Sequence, residues 1–264
     1  MNQIVRYAAC ACFFATASCV FAATSAHSPF DGTWRTDLAK TKFSPKPLDF
    51  YIGEGWYHCV TCNPVIDVQA DGVDHKVAGQ AFDSISVRII NPDTIAITTR
   101  KDGKVVYDQT RTVSKDGKSL NVKETLHPMD SAQVLTFEAT ARRSGAAPDG
   151  VHATSGDWIV ERESGSSNGL TTTYKLDNGE LSMTDPTGES YTAKLDGADF
   201  KVKGAYGWDT VSLKQLNPHT LEETDKRNGA VIDVSKLTVD GNTMTVVDTN
   251  KETDRTSTYI AHKE

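Results

Sequence analysis

The chain has 264 residues, 38% hydrophobic and 24% charged, with a net charge of −7. That length allows one large or two ordinary domains. The acidic balance argues against nucleic acid as a partner, because such binding rests on clustered Lys and Arg, and against electrostatic docking on an anionic membrane.

Arg6 is the only charge in the first 22 residues, and an apolar run from Tyr7 to Phe21 follows it. Val20-Phe21-Ala22 fits a small-x-small cleavage site, so residues 1–22 are expected to be a secretory signal peptide, with a mature start at Ala23. The run is short and interrupted by small residues, so no transmembrane segment is expected in the mature chain. An alternative is lipid attachment at Cys19, since Thr16-Ala17-Ser18-Cys19 resembles a lipoprotein signal with Thr16 where Leu is usual. Export implies the periplasm or full secretion. Loss of residues 1–22 removes one Arg and no acid, which moves the charge from −7 to −8, and leaves only Cys59 and Cys62 of five cysteines. In an oxidising compartment that pair is expected to form a disulfide.

The mature chain opens with Phe30-Asp31-Gly32-Thr33-Trp34, and Ser44-Pro45-Lys46-Pro47 breaks the backbone soon after. Ile85, Val87 and Ile89 then alternate with Ser84, Ser86 and Arg88, the period of a half-buried strand. Lys101-Asp102-Gly103-Lys104 and Lys115-Asp116-Gly117-Lys118 read as hairpin turns, because Asp and Gly tolerate positive φ. Leu135, Phe137, Ala139 and Ala141 mark one face of a strand ending at Arg142-Arg143. Residues 144–155 hold small residues without apolar periodicity and read as a linker. Gly156-Asp157-Trp158 opens a second half, in which Asn178-Gly179 is a strong hairpin signal. No stretch carries a helical stripe; Asp31 to Lys42 and the region before Gly169 have room for a short helical turn.

The second half repeats the first. Asp71-Gly72-Val73-Asp74-His75-Lys76-Val77 returns as Asp196-Gly197-Ala198-Asp199-Phe200-Lys201-Val202, and Asn91-Pro92 returns as Asn217-Pro218. The expected fold is all-β: two tandem antiparallel barrels, over residues 28–143 and 156–264, each with about eight short strands. One larger barrel or sandwich built from both halves is the alternative.

Gly32-x-Trp34, repeated as Gly156-x-Trp158, resembles the opening signature of lipocalins and the wider calycin superfamily. The resemblance implies a barrel closed at one end by the Trp, with a basic residue of the last strand over it. Arg142, or its neighbour Arg143, is the candidate in the first half; the second half departs, ending at His262-Lys263-Glu264. The resemblance also implies a barrel that can hold a small apolar ligand, and it implies no reaction. The expected role is thus that of an exported non-enzymatic protein binding a small apolar ligand or a protein partner. Candidate ligand contacts are Trp56, Tyr57, His75, Tyr206 and Trp208. No catalytic set, metal site or cofactor motif emerges from spacing: His58, Cys59 and Cys62 supply at most three zinc ligands, and no Gly-x-Ser-x-Gly elbow occurs. The alternative is an enzyme with its site at a barrel mouth near Trp56–Cys62, where the halves differ most.

Overall fold

The computed structural model describes residues 28–129, 133–205 and 207–264; the expected signal peptide, Cys19 and Tyr206 lie outside them. The first half supplies β1 (Gly32–Thr36), β2 (Leu48–Gly53), β3 (Trp56–Cys59), β4 (Ile66–Gln69), β5 (His75–Lys76), β6 (Ser84–Asn91), β7 (Thr94–Lys101), β8 (Lys104–Val113), β9 (Ser119–Leu126) and β10 (Leu135–Arg143). The second supplies β11 (Gly156–Gly165), β12 (Thr171–Asp177), β13 (Glu180–Thr184), β14 (Ser190–Lys194), β15 (Asp196–Lys201), β16 (Thr210–Asn217), β17 (Thr220–Arg227), β18 (Ala230–Asp240), β19 (Thr243–Asn250) and β20 (Arg255–Lys263). Single 3-10 turns at Leu38–Lys40 and Ser167–Gly169 occupy both places where a short helical turn was expected. The expected hairpins form at Asp102-Gly103 and Asn178-Gly179, where both residues take positive φ.

The strands make two nearly closed, barrel-shaped antiparallel sheets of ten strands each. One runs β4-β3-β2-β11-β10-β9-β8-β7-β6-β5, the other β14-β13-β12-β1-β20-β19-β18-β17-β16-β15. The first is called barrel I below, and the second barrel II. Paired backbone bonds between Ser190 and Lys203, both 2.9 Å, draw the ends of barrel II together. The Asp71–Arg88 bridge does the same in barrel I.

The sheets do not follow the repeat boundaries at 28–143 and 156–264. Each repeat's first strand sits in the other repeat's barrel: β1 lies between β12 and β20, and β11 lies between β2 and β10. The reason is local. Residues 144–155 are not a free linker but a hairpin loop packed on barrel I, where Ser155 is fully buried and its Oγ accepts the Ile52 N–H at 2.9 Å. The loop lets β11 fold straight back on β10 and take the slot beside β2. β1 is then left to the matching slot in barrel II.

The exchange is exact in register. Trp158 lies opposite Arg143 and Leu48; Trp34 lies opposite Lys263 and Thr172. Both indoles are buried, and each donates its N–H four residues back, Trp34 to Phe30 O and Trp158 to Thr154 O. The basic cap is Arg143, not Arg142, and it covers the Trp of the other repeat. Its guanidinium lies 4.1 Å from the Trp158 ring centre and donates to the carbonyls of Gly117, Ala153 and Ser155. Arg142, one residue on and therefore on the opposite face, points outward to an exposed pair with Glu161. Lys263 stands over Trp34 at 4.9 Å, so the second cap exists without an Arg. Gly156 is required by both backbone and cap: φ is +122°, and a Cβ would come within 2.7 Å of Arg143 Nη1.

The apolar ends of both barrels are filled by their own side chains. Phe50, Ile52, Val87, Ile95 and Trp158 pack in barrel I, and Trp34, Leu181, Leu213, Leu221 and Met244 in barrel II. The Arg143 cap combines a ring contact of roughly 0.5–2 kcal/mol with charge-assisted carbonyl bonds. Denaturant unfolding of Arg143→Ala is expected to show a loss of about 2–4 kcal/mol, against less than about 0.5 kcal/mol for Arg142→Ala. Equal losses would contradict the assignment of the cap.

Candidate functional site

The residues singled out from sequence separate by face. Cys59 and Cys62 form a disulfide, with sulfurs 2.01 Å apart. Tyr57 points into barrel I and is buried, its hydroxyl 3.3 Å from Arg111 Nη1. Trp56, the strand neighbour of Tyr57, faces outward and is 42% exposed. His58 also faces outward, stacked on Tyr51 and 2.5 Å from Asp67. His75 bonds Asp71 at 2.9 Å, an interaction that holds the Asp71 carboxyl below its usual range. Trp56 is therefore not an interior ligand contact, whereas His75 stands opposite the buried Ile85, on the inward face of barrel I, and is tied to Asp71. Trp208 does face inward: its ring meets Tyr191 edge-on at 6.3 Å, and its indole bonds Glu189.

The unforeseen feature is the far end of barrel II. Cross-strand pairing lines up two inward rows on β17, β18, β19 and β20. One is Asp225, Asp233, Asn250 and Arg255; the other is Glu223, Ser235, Asp248 and Ser257. The next row toward the Trp34 end is Leu221, Leu237, Val246 and Tyr259, so the wall changes from apolar to charged within two rows. Tyr191 donates to Glu223 at 2.7 Å and Ser235 donates to Asp248 at 2.8 Å. Arg227 is taken up by Glu252. Asp225 Oδ1 and Arg255 Nη1 are shut off from solvent and have no partner among the described residues.

Crowded carboxylates in a poorly hydrated wall resist ionisation. Burial and the neighbouring Asp185 push Glu189 up to about 8. Burial and Asp248 push Asp233 up to about 7. Burial raises Glu223 and Asp225 together, and for Asp225 the Glu223 charge adds to the effect. Among the described residues no group of three such side chains is arranged to hold a metal ion.

Barrel I lacks this wall. By matched register, Ile97, Thr99 and Tyr107 stand where Glu223, Asp225 and Asp233 stand in barrel II, and Leu126 and Leu135 stand where Asn250 and Arg255 stand. Its remaining polar groups satisfy one another, as Gln109 donates to Glu124 at 2.6 Å and to Tyr107 at 2.7 Å. The two mouths meet in a cleft of about 360 Å³. Glu124, Ala139 and Glu163 line it from barrel I, and Asp248, Arg255 and Tyr259 from barrel II. Burial, with help from Glu124, lifts Glu163 to about 7. Compared with protein-family models, curated proteins and solved structures, the chain finds no match.

A carboxyl whose pKa is raised by folding favours the folded state while protonated. That contribution is present below the unfolded value near 4 and is lost as pH climbs toward 7–8, the values reached by Asp233 and Glu189. Thermal unfolding is therefore expected to show Tm falling between about pH 5 and pH 9. Asp225→Asn removes an unpartnered charge and should raise Tm at the alkaline end by a few degrees. A Tm that is flat across that range, or an Asn variant less stable there, would contradict this electrostatic account.

Proposed function

We propose that this is an exported binding protein whose barrel II and adjoining cleft take up a small polar ligand carrying a positive charge. The carrying observation is the inward set Glu189, Glu223, Asp225, Asp233 and Asp248, faced by Arg255 with an unpaired Nη1 and by an Arg227 already held by Glu252. An ammonium group placed among them replaces protons with a fixed charge. At an effective dielectric near 20, one contact at 4 Å is worth about 4 kcal/mol before desolvation. The lipocalin-like Gly-x-Trp strands, each under a basic cap, support a ligand-holding barrel. An apolar guest is less favoured than a polar one, since the apolar ends are already packed. The Cys59–Cys62 disulfide supports an oxidising compartment, the periplasm or the exterior. An enzyme site at Trp56–Cys62 is less favoured, because both sulfurs are tied to each other and Trp56 faces away from the interior.

Cation uptake must expel protons from the raised carboxyls, so affinity should climb with pH. Titration calorimetry with butylamine and putrescine is expected to show binding at least tenfold tighter at about pH 8.5 than at pH 6, with proton release to buffer. Absence of binding by either amine, or affinity independent of pH, would overturn this reading.

A further inference from the structure

Asp225 and Arg255 occupy the two ends of one inward row, with Asp233 and Asn250 between them. The middle of the row is internally satisfied: Asn250 bonds Asp233, and its Oδ1 accepts from Thr253 N and Oγ1, both at 2.8 Å. The ends are not. Asp225 Oδ1 and Arg255 Nη1 are unpartnered and closed to solvent. Leaving a buried polar atom unpaired costs ~1–3 kcal/mol, and more when it is charged. Such groups in a native fold call for an explanation, commonly a bound species.

These two groups are opposite in sign, yet they cannot satisfy each other. Three strand spacings separate them, ~14 Å along the sheet, and neither atom has a bonded partner among the described residues. Neither has a nearer substitute. The charges acting on Asp225 are Glu223, Asp233, Glu189 and Asp248, all acidic. Arg255 lines the cleft beside Tyr259 and Asp248 with its Nη1 turned away from solvent, and it has no ion pair among the described residues. In barrel I the matching ends of the row are Thr99 and Leu135, so the charged ends are a property of barrel II alone.

We infer that the ligand of barrel II is a two-ended zwitterion, with an ammonium held by Asp225 and Asp233 and a carboxylate or similar anion held by Arg255. This rests on the binding role proposed above and adds the second charge, the spacing and the orientation. The anionic end lies toward the inter-barrel cleft, where Arg255 stands, and the cationic end lies across the same row, on β17 and β18. The guest is thus an ω-amino carboxylate or a molecule with the same separated charges.

The test compares ligands that differ only in the anionic end, by calorimetry on the mature protein. Butylamine is set against γ-aminobutyrate, with β-alanine and ε-aminohexanoate to vary the span. The inference expects one of the amino acids to bind at least tenfold tighter than butylamine. It expects Arg255→Gln to bring the amino acids down to the affinity of butylamine, and Arg255→Lys to restore part of the advantage. If butylamine binds and no amino acid binds better, or if Arg255→Gln treats both alike, the zwitterion is wrong and the cation-binding role stands. If neither class binds the native protein, both fall. Since the substitution removes an unpaired buried charge, Arg255→Gln is expected to fold at least as stably as the native chain, as its thermal unfolding will report.

Discussion

The constraint on which the rest depends is the reciprocal exchange of the two Gly-x-Trp strands. Each Trp is buried against the interior of one barrel, and each basic cap belongs to the repeat that supplies the barrel's other strands. Neither repeat contains a complete sheet by itself. The chain crosses between barrels at residues 37–47 and 166–170, and the second crossing bonds to β1: Thr36 N donates to Leu170 O at 2.8 Å, and Arg35 Nη1 to Ser167 O at 2.9 Å. Lys42 adds a two-way backbone bridge to Thr258 on β20. The barrels are therefore fastened at the ends where their chains cross, and a shared cleft forms between their mouths.

That arrangement gives the duplicated halves different work. Both retain an apolar end under a capped Trp, which is what keeps each sheet curled around a dry core. At the opposite end they diverge. Barrel I carries Ile97, Tyr107, Leu126 and Leu135 and closes its remaining polar groups on one another. Barrel II carries carboxyls on adjacent strands, with Asp225 directly across from Asp233. Like charges so placed are destabilising in a cross-strand pair. Barrel I supplies the stable frame and barrel II holds the electrostatic tension.

Much of the fold was legible in the residues. Period-two alternation located the strands, Asp-Gly and Asn-Gly located the hairpins, and the repeated Gly-x-Trp located the barrel-closing rings. The exchange was not legible, because β1 presents the same Gly-x-Trp pattern whichever barrel it enters; only the seat taken by β11 decides it. The choice between Arg142 and Arg143 turns on which face of β10 each residue occupies. Alternation alone could have settled it, since Ala139 and Ala141 already mark the inward face that Arg143 continues. The acidic wall was hidden by its own strand. Glu222-Glu223-Thr224-Asp225 has polar residues on both faces, so no inward side stands out. The signal lay in comparing the copies: apolar Ile97 is replaced by Glu223 at a matched inward position, and apolar Leu135 by Arg255.

The most direct test of the exchange is a choice between two engineered cysteine pairs. Thr33 and Thr173 face each other across β1 and β12, with hydroxyls 2.9 Å apart. Without exchange, Thr33 would instead lie opposite Asp49, the residue that now faces Asp157. Non-reduced peptide mapping of Thr33→Cys with Thr173→Cys is predicted to find the two peptides joined within one chain, and Thr33→Cys with Asp49→Cys is predicted to leave them apart. A bond in the second pair and none in the first would contradict the exchanged fold, and with it the shared cleft between the two barrels.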